Sequence, residues 1–331
     1  MAPQNVLIIG GAGAQGVPIV RALSSDPRYA VCVLTRNPDS ETAKELLTLP
    51  NVTLAIGDAS NEADLRAAFQ GISLAFVNTN SNALGIRAEM YWGTRIFEIA
   101  IESGVQHYIW SSLEDTLALS GYDEACRVGH YAGKSRVAEW MCAFPQSPMK
   151  WSVITTGPYI EMLHELFRPR KEEDGTRVFG FPLKDGAIPF VHLDDVANGV
   201  KWLFDHPEEA AGKDLKMTVE HASGKIIAEA FEKVTGQKAR YEDISKEDWY
   251  QRSGIGPLDW KMGEGYEGNR PEDPTLLSVE QNFGNWWNLY QRSAGNKGLI
   301  KTDYEELDRI LPHRVKSVEA WMTKVGYTGE A

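Results

Sequence analysis

The chain has 331 residues, 43% of them hydrophobic and 24% charged, a composition that builds a packed core and excludes a disordered or collagen-like polymer. Its formal charge of −12 opposes phosphate backbones and argues against direct nucleic-acid binding. No apolar run nears the ~20 residues of a membrane span, and three cysteines without metal spacing (Cys32, Cys126, Cys142) predict a reduced cytoplasmic protein with neither disulfide nor metal.

The first apolar run, 6–9, enters "GGAGAQG" directly. No basic stretch precedes it and glycines cut it short, so it does not read as a signal peptide. Two glycine registers overlap here: Gly11-x-Gly13-x-x-Gly16 and Gly10-x-x-Gly13-x-x-Gly16. Either places glycines where a strand turns into a helix and bare backbone approaches a pyrophosphate. The helix mouth supplies unpaired amides and partial positive charge, so Gly10, Gly11, Ala12, Gly13, Ala14, Gln15 and Gly16 are expected to cradle a dinucleotide.

The second run, 29–34, ends in "LTRNPDS". An acid at this point would accept from a ribose 2′-hydroxyl, whereas an arginine suits a 2′-phosphate. Arg36 stands twenty positions after Gly16, followed by Asn37, and Asp39 lies beyond Pro38. NADP(H) is therefore expected over NAD(H). The third and fourth runs, 52–56 and 74–77, end in "IGDAS" and "VNTNS". Asp58, with Ala59 beside it, is placed to accept from an adenine amino group, and Asn78, Thr79 and Asn80 to lie along the cofactor's middle. The plainer alternative is that Asp58, Asn78 and Thr79 cap the next turns.

After the fifth run, 107–110, come Ser111 and Ser112, and then "GHYAGKSRVAEW". On a helix, His130 and Lys134 are i and i+4 and share a face, while Tyr131 points elsewhere. Lys134 suits a cation near ribose and substrate oxygen, His130 a proton donor, and Ser112 a hold on a substrate oxygen. Alternatively, Lys134 only binds ribose hydroxyls and His130 packs silently. The sixth run is 151–154, and helical stretches at 17–23, 63–69, 88–101 and 135–143 separate the runs. This alternation predicts a doubly wound parallel α/β sheet over 1–157. Part of the sheet and a helix return from 187–206, the helix capped at Asp194, and 158–331 form a smaller α/β lobe. Within that lobe 166–186 reads as a charged loop, 260–274 as a loop, and 221–237 as a capped helix. Trp249, Trp260, Trp286 and Trp287 either line a pocket or fill a core.

Together "GGAGAQG", "LTRNP", "GDASNEADL", "GHYAGKSRVAEW" and "TGPYIEML" resemble the NmrA-like family, atypical members of the short-chain dehydrogenase/reductase superfamily. The resemblance spans essentially the whole chain. It implies a Rossmann-type domain with a smaller C-terminal lobe, NADP(H) preference, and cofactor contacts from Gly10–Gly16, Arg36, Lys134 and the stretch Gly157, Pro158, Tyr159, Ile160 and Glu161. Typical short-chain dehydrogenases carry Tyr-x-x-x-Lys; here His130 stands at the tyrosine position and Lys134 is kept. Thr94 stands where relatives often have lysine. Some relatives sense the cofactor ratio and bind transcription factors, while an isoflavone-reductase-like branch is catalytic without the tyrosine. Two functions follow as expectations. One is an NADPH-dependent reductase of a small apolar or aromatic substrate. The other is a non-catalytic redox sensor with a regulatory protein partner, cytoplasmic or nuclear. A homodimer is left open by both.

Overall fold

The structure, a computed structural model, describes residues 2–330. Six parallel strands follow the apolar runs: β1 (Gln4–Ile9), β2 (Tyr29–Thr35), β3 (Val52–Ile56), β4 (Leu74–Val77), β5 (His107–Ser112) and β6 (Lys150–Thr155). With Asp214–Lys216 at the edge beside β6, they form one seven-stranded sheet. Spatially the order is β3-β2-β1-β4-β5-β6 and then Asp214–Lys216. Val6 lies between Val31 and Leu74, so the order reverses at the carboxyl end of β1. In open α/β sheets ligands bind at that switch point. Val6, Leu7, Ile8 and Ile9 are all buried, as expected of a strand covered on both faces.

The α-helices up to residue 205, in chain order, are α1 (Gly16–Ser24), α2 (Glu41–Leu46), α3 (Glu62–Ala68), α4 (Ser81–Glu102), α5 (Thr116–Leu119), α6 (Gly129–Met141) and α7 (Leu193–Asp205). On one face α1 and α7 share a core, where Ile19, Val20 and Leu23 join Val196, Val200 and Leu203. On the other, Leu65 of α3, Ile96 of α4 and Val137 of α6 close a second core. The chain leaves helical geometry at Gly85 (φ 73°, ψ 169°), which kinks the start of α4. The 260–274 loop docks there: Gly263 N–H donates to Asn82 O at 2.8 Å, and Asn269 Nδ2 donates to Leu84 O at 2.6 Å.

The returning segment differs in detail from its sequence pattern. Helix α7 is where the pattern puts it, but it starts at Leu193 with His192 at the N-cap, and Asp194 and Asp195 occupy its first turn. Carboxylates there complement the helix's positive end without capping it. The apolar run before it yields only Ile188–Pro189, paired antiparallel with His221–Ala222. The seventh strand of the large sheet comes instead from Asp214–Lys216, three residues too short and too charged to announce themselves.

Part of the second half joins the sheet's core through Val191, Leu215 and Leu307, and the rest packs into a third core that Val128 and Tyr131 also enter. The 166–186 stretch, though charged, contributes Arg170–Lys171 and Arg177–Phe181, which form a small sheet with Ala239–Asp243. Over it pack Phe167, Phe181, Trp249, Trp286, Trp287 and Tyr290. Phe181 and Trp287 stack with centroids 6.2 Å apart. Trp249, Trp286 and Trp287 are thus core residues, and Trp260 alone of the four is exposed. Among the described residues no helix is long and apolar enough to cross a membrane, and no His/Cys/Asp/Glu cluster could hold a metal.

Candidate functional site

The glycine loop is shaped by what it excludes. Gly10 has φ +82°, and a Cβ there would collide with Asn78 O, just past β4; one on Gly16 would collide with the Gly10 carbonyl. Gly11 lies against Val33, 2.8 Å from where its Cβ would be. These three glycines let β1, β4 and α1 close together. Gly13 differs: a Cβ there would meet only Gly10 O, at 3.3 Å, and Gly13 and Ala14 are exposed. Gln15 stands at the N-cap of α1 without a side-chain cap bond. Among the described residues the amides of Ala14 and Gln15 have no acceptor. An open helix mouth with unclaimed N–H groups fits a phosphate group.

Arg36 follows β2 with its side chain 75% exposed and its guanidinium 3.6 Å from Asp58 Oδ2. Asp58 Oδ1 is committed to Ser60, accepting from its N–H at 2.8 Å and its hydroxyl at 2.7 Å, so only Oδ2 is free to face Arg36. Ala59 lies in the same turn, Asn37 Oδ1 accepts from Asp39 N–H at 3.1 Å, and Asn80 caps α4 by accepting from Ala83 N–H at 3.2 Å. Of the three residues in the capping alternative, Asp58 holds its own turn with one oxygen, while the side chains of Asn78 and Thr79 bond elsewhere; Asn80, outside that alternative, is the cap of α4.

Asn78 and Thr79 are joined to α6. Lys134 Nζ donates to Asn78 Oδ1 at 2.8 Å and to Thr79 O at 2.9 Å. Asn78 Nδ2 in turn donates to Gln15 Oε1, which also accepts from Ser111 Oγ at 2.9 Å. One chain of hydrogen bonds thus runs from α6 through β4 and the glycine loop to β5. Ser111 belongs to it; Ser112 does not, since its hydroxyl donates to Leu113 O at 3.2 Å.

His130 and Lys134 lie one turn apart on α6 but in unlike surroundings. His130 Nδ1 lies 3.0 Å from the Asn282 side-chain amide, and its ring packs against Tyr131 and Phe283. Burial lowers its pKa to about 4, beyond what the Asn282 hydrogen bond restores, with the nearby lysine charge adding to the fall. At neutral pH the imidazole is uncharged. Burial also lowers Lys134, but the carboxylate of Glu89, 3.3 Å away, opposes the shift. Tyr131 turns into the lobe, its hydroxyl 2.5 Å from that of Tyr290, and burial pushes its pKa up to about 12. Thr94 Oγ donates to the carbonyls of Met90 and Tyr91 in its own helix.

Beyond β6, Gly157 passes under Pro189 O, 2.8 Å from where its Cβ would be. Pro158 O accepts from Val191 N–H at 2.9 Å, and Tyr159 bridges to Val191. Ile160 is buried in the lobe core, and Glu161 Oε1 accepts from His192 Nδ1 at 2.6 Å and Leu193 N–H at 3.0 Å. The first three residues of this stretch line the sheet's carboxyl end, and the last two tie the lobe to α7. Next to them Tyr131, Thr155, Thr156, Gly157 and the Glu114–Lys216 pair enclose a cavity of about 10 Å³, room for one water molecule. A wider opening of about 350 Å³ lies outside Glu114 and Lys216, towards Leu119 and Leu299.

The sequence pattern missed Glu89. It is fully buried, and it shares a stripe with Gly93, Ile96 and Ala100, all buried. An acid on that apolar stripe was the available signal.

A family model described as the NmrA-like family matches residues 2–266. An NmrA-like family domain-containing oxidoreductase, notA of an Aspergillus species, is 30% identical over 267 residues, which cover 74% of this chain and 77% of that protein. Among solved structures, a negative transcriptional regulator, NmrA, in complex with NADP superimposes with a TM-score of 0.69 at 20% identity, over 98% of this chain and 96% of that one. An NADPH-dependent quinone oxidoreductase of Escherichia coli, complexed with NADPH, gives a TM-score of 0.69 at 17% identity, over 97% and 99%. At such identities the two superpositions speak for the fold.

Proposed function

The chain belongs to the NmrA-like family, and from that premise we propose that it is an NADP(H)-dependent oxidoreductase acting on a small apolar or aromatic substrate. The observation that carries this reading is the placement of Lys134, a buried ammonium at the end of β4, tied through Asn78 and Gln15 to the open mouth of the glycine loop. In this assignment the amides at the start of α1 hold the pyrophosphate and Arg36 holds the 2′-phosphate. Asp58 Oδ2 lies beside Arg36 at the adenosine end. Asn78, Thr79 and Lys134 flank the nicotinamide ribose, and Gly157, Pro158 and Tyr159 the ring beyond it. When bound, the dinucleotide supplies the hydride. Lys134 contributes positive charge where a substrate oxygen gains negative charge. His130, uncharged at neutral pH, shapes the wall and is not assigned the proton. Ile160 and Glu161 are assigned to the lobe, not to the cofactor.

One observation favours a second reading, a sensor whose NADPH and NADP⁺ forms present different surfaces to a regulatory protein. The void adjoining Gly157 has room for one water, and the wider opening lies outside Glu114 and Lys216. Sensing requires unequal affinity for a partner in the two cofactor states. Calorimetric titration with NADPH, followed by absorbance at 340 nm with ketones, enones, quinones and benzylic ethers, separates the two. Consumption of NADPH supports the reductase. Tight binding with no turnover on any of them refutes it and leaves the sensor.

A further inference from the structure

Glu89 is a carboxylate where the packing of α4 on α6 calls for an apolar side chain. It is 0% exposed, and its Oε2 has no hydrogen-bond partner. All of its bonds converge on Oε1, which accepts from Thr79 Oγ at 2.6 Å and Ser81 Oγ at 2.7 Å and lies 3.3 Å from Lys134 Nζ. The facing helix makes room for it: a Cβ at Gly133, the residue before Lys134, would collide with Glu89 Oε2. A buried ion pair is weak evidence for stability, because desolvating two charges offsets their attraction and a matched apolar pair often does as well. A half-satisfied carboxylate is worse still. Its retention beside Lys134 therefore asks for a reason outside packing.

We propose that Glu89 is a positioning residue of the cofactor site, the buried counter-ion that keeps Lys134 charged and aims its ammonium at the end of β4. This rests on the reading of that site as NADP(H)-binding. The groups around Lys134 leave no other candidate. Just past β4 it meets Asn78 and Thr79, from β5 the ring of Trp110 at 5.2 Å, and on its own helix His130, which is uncharged at neutral pH. Among the described residues Glu89 is the one carboxylate within ion-pair distance of Nζ. Both hydroxyls donate to the same oxygen that faces Lys134. The carboxylate is thus clamped in the orientation that the ammonium needs, and the ammonium keeps its remaining donors for Asn78 and Thr79.

The test is the pH profile of NADPH binding by the full chain, wild type against Glu89→Gln, which keeps the shape and removes the charge. In the wild type Glu89 is expected to oppose the loss of the Lys134 proton, so that above about pH 7, where the 2′-phosphate is fully ionised, the affinity falls less with rising pH than in the variant. In Glu89→Gln it falls as pH rises, to roughly a tenth or less of the wild-type value near the alkaline end, the size of one lost charged hydrogen bond. It recovers towards about pH 7, and Glu89→Asp restores the wild-type profile. Parallel profiles for wild type and Glu89→Gln overturn the proposal. Should Glu89→Gln fail to fold, the titration of Lys134 by NMR in wild-type protein with isotope-labelled lysine decides. An ammonium that persists above about pH 9 supports the counter-ion role, and a neutral amine at pH 7.5 overturns it. That measurement needs no cofactor. If the wild type binds no NADPH at all, the functional reading fails while the ion-pair assignment is still judged.

Discussion

Arg36→Ala separates the cofactor assignment from the fold. The guanidinium is 75% exposed and its one ionic neighbour, Asp58 Oδ2, is 3.6 Å away with its side chain 37% exposed. A pair so solvated contributes about 0–1 kcal/mol to stability, so the variant should unfold within a degree or two of the wild type. Its effect on binding is larger. A hydrogen bond to a phosphate made by a charged donor is worth about 1.5–3 kcal/mol, roughly 10- to 150-fold in affinity. Losing Arg36 also leaves the Asp58 carboxylate facing the phosphate. At an exposed site that repulsion adds up to about 1 kcal/mol and places the loss in the upper half of the range. Calorimetry with NADPH and NADH should show a fall for NADPH alone, with NADH changed by less than about twofold. Raising salt from about 0.05 M to 0.5 M should shrink the wild type's preference for NADPH, because screening weakens exposed charges. Equal losses for both cofactors, or undiminished NADPH affinity, would refute the assignment of Arg36.

Gly13→Ala should fold normally and lose cofactor affinity, since the added Cβ meets only Gly10 O at 3.3 Å and projects from the exposed mouth; unfolding curves with NADPH titrations check both halves. Gly10→Ala, at φ +82° against Asn78 O, should lower stability by about 1–3 kcal/mol or block folding, seen as lost soluble protein or a depressed Tm. Trp287→Ala should cost about 3–5 kcal/mol by opening a core cavity, and Trp260→Ala, at a side chain 37% exposed, should cost less; urea unfolding measures both. His107, held at about 4 by burial in β5, is neutral in the fold and titrates near 6.5 when unfolded. Its contribution is whole above pH 6.5 and is lost as pH falls towards 4, on the order of 3 kcal/mol. His107→Gln should therefore show a shallower acid-side loss in urea titrations, and an unchanged slope would contradict the burial argument.

What the sequence made legible was what local pattern encodes. A strand entering glycines forces a turn, and the strand order then puts that turn at the switch point. Arg36 and Asp58 end adjacent strands in "LTRNP" and "GDAS", and the β2–β3 register brings their ends side by side. The i, i+4 spacing placed His130 and Lys134 on neighbouring turns. What stayed hidden depends on distant partners. Asp214–Lys216 is a strand only because β6 offers it an edge. Gln15 reads as one loop residue until Asn78 and Ser111 converge on its oxygen. The lobe's tryptophans read more readily as core than as pocket lining, but composition does not say what they face; Phe167, Phe181 and Tyr290 close over three of them. Glu89 was the costliest omission, since it sets the electrostatics of a residue the pattern had found.

His130 and Lys134 show why finding a residue is not the same as knowing its charge. One helical turn separates them, and burial disfavours the charged form of each. For His130 the compensation is a neutral amide, Asn282, which hydrogen-bonds the ring but supplies no charge, so the imidazole stays uncharged. For Lys134 the compensation is a carboxylate clamped by two hydroxyls. Environments that push two titratable groups apart assign their roles. A neutral imidazole with a low pKa is a poor proton donor at neutral pH, so in a reductase the positive charge near the substrate oxygen, and any proton delivered to it, falls to Lys134. A sensor needs the Lys134 charge only to hold the cofactor. Chemistry needs that charge at the substrate oxygen as well, and Glu89, 3.3 Å away, is the carboxylate that opposes its loss.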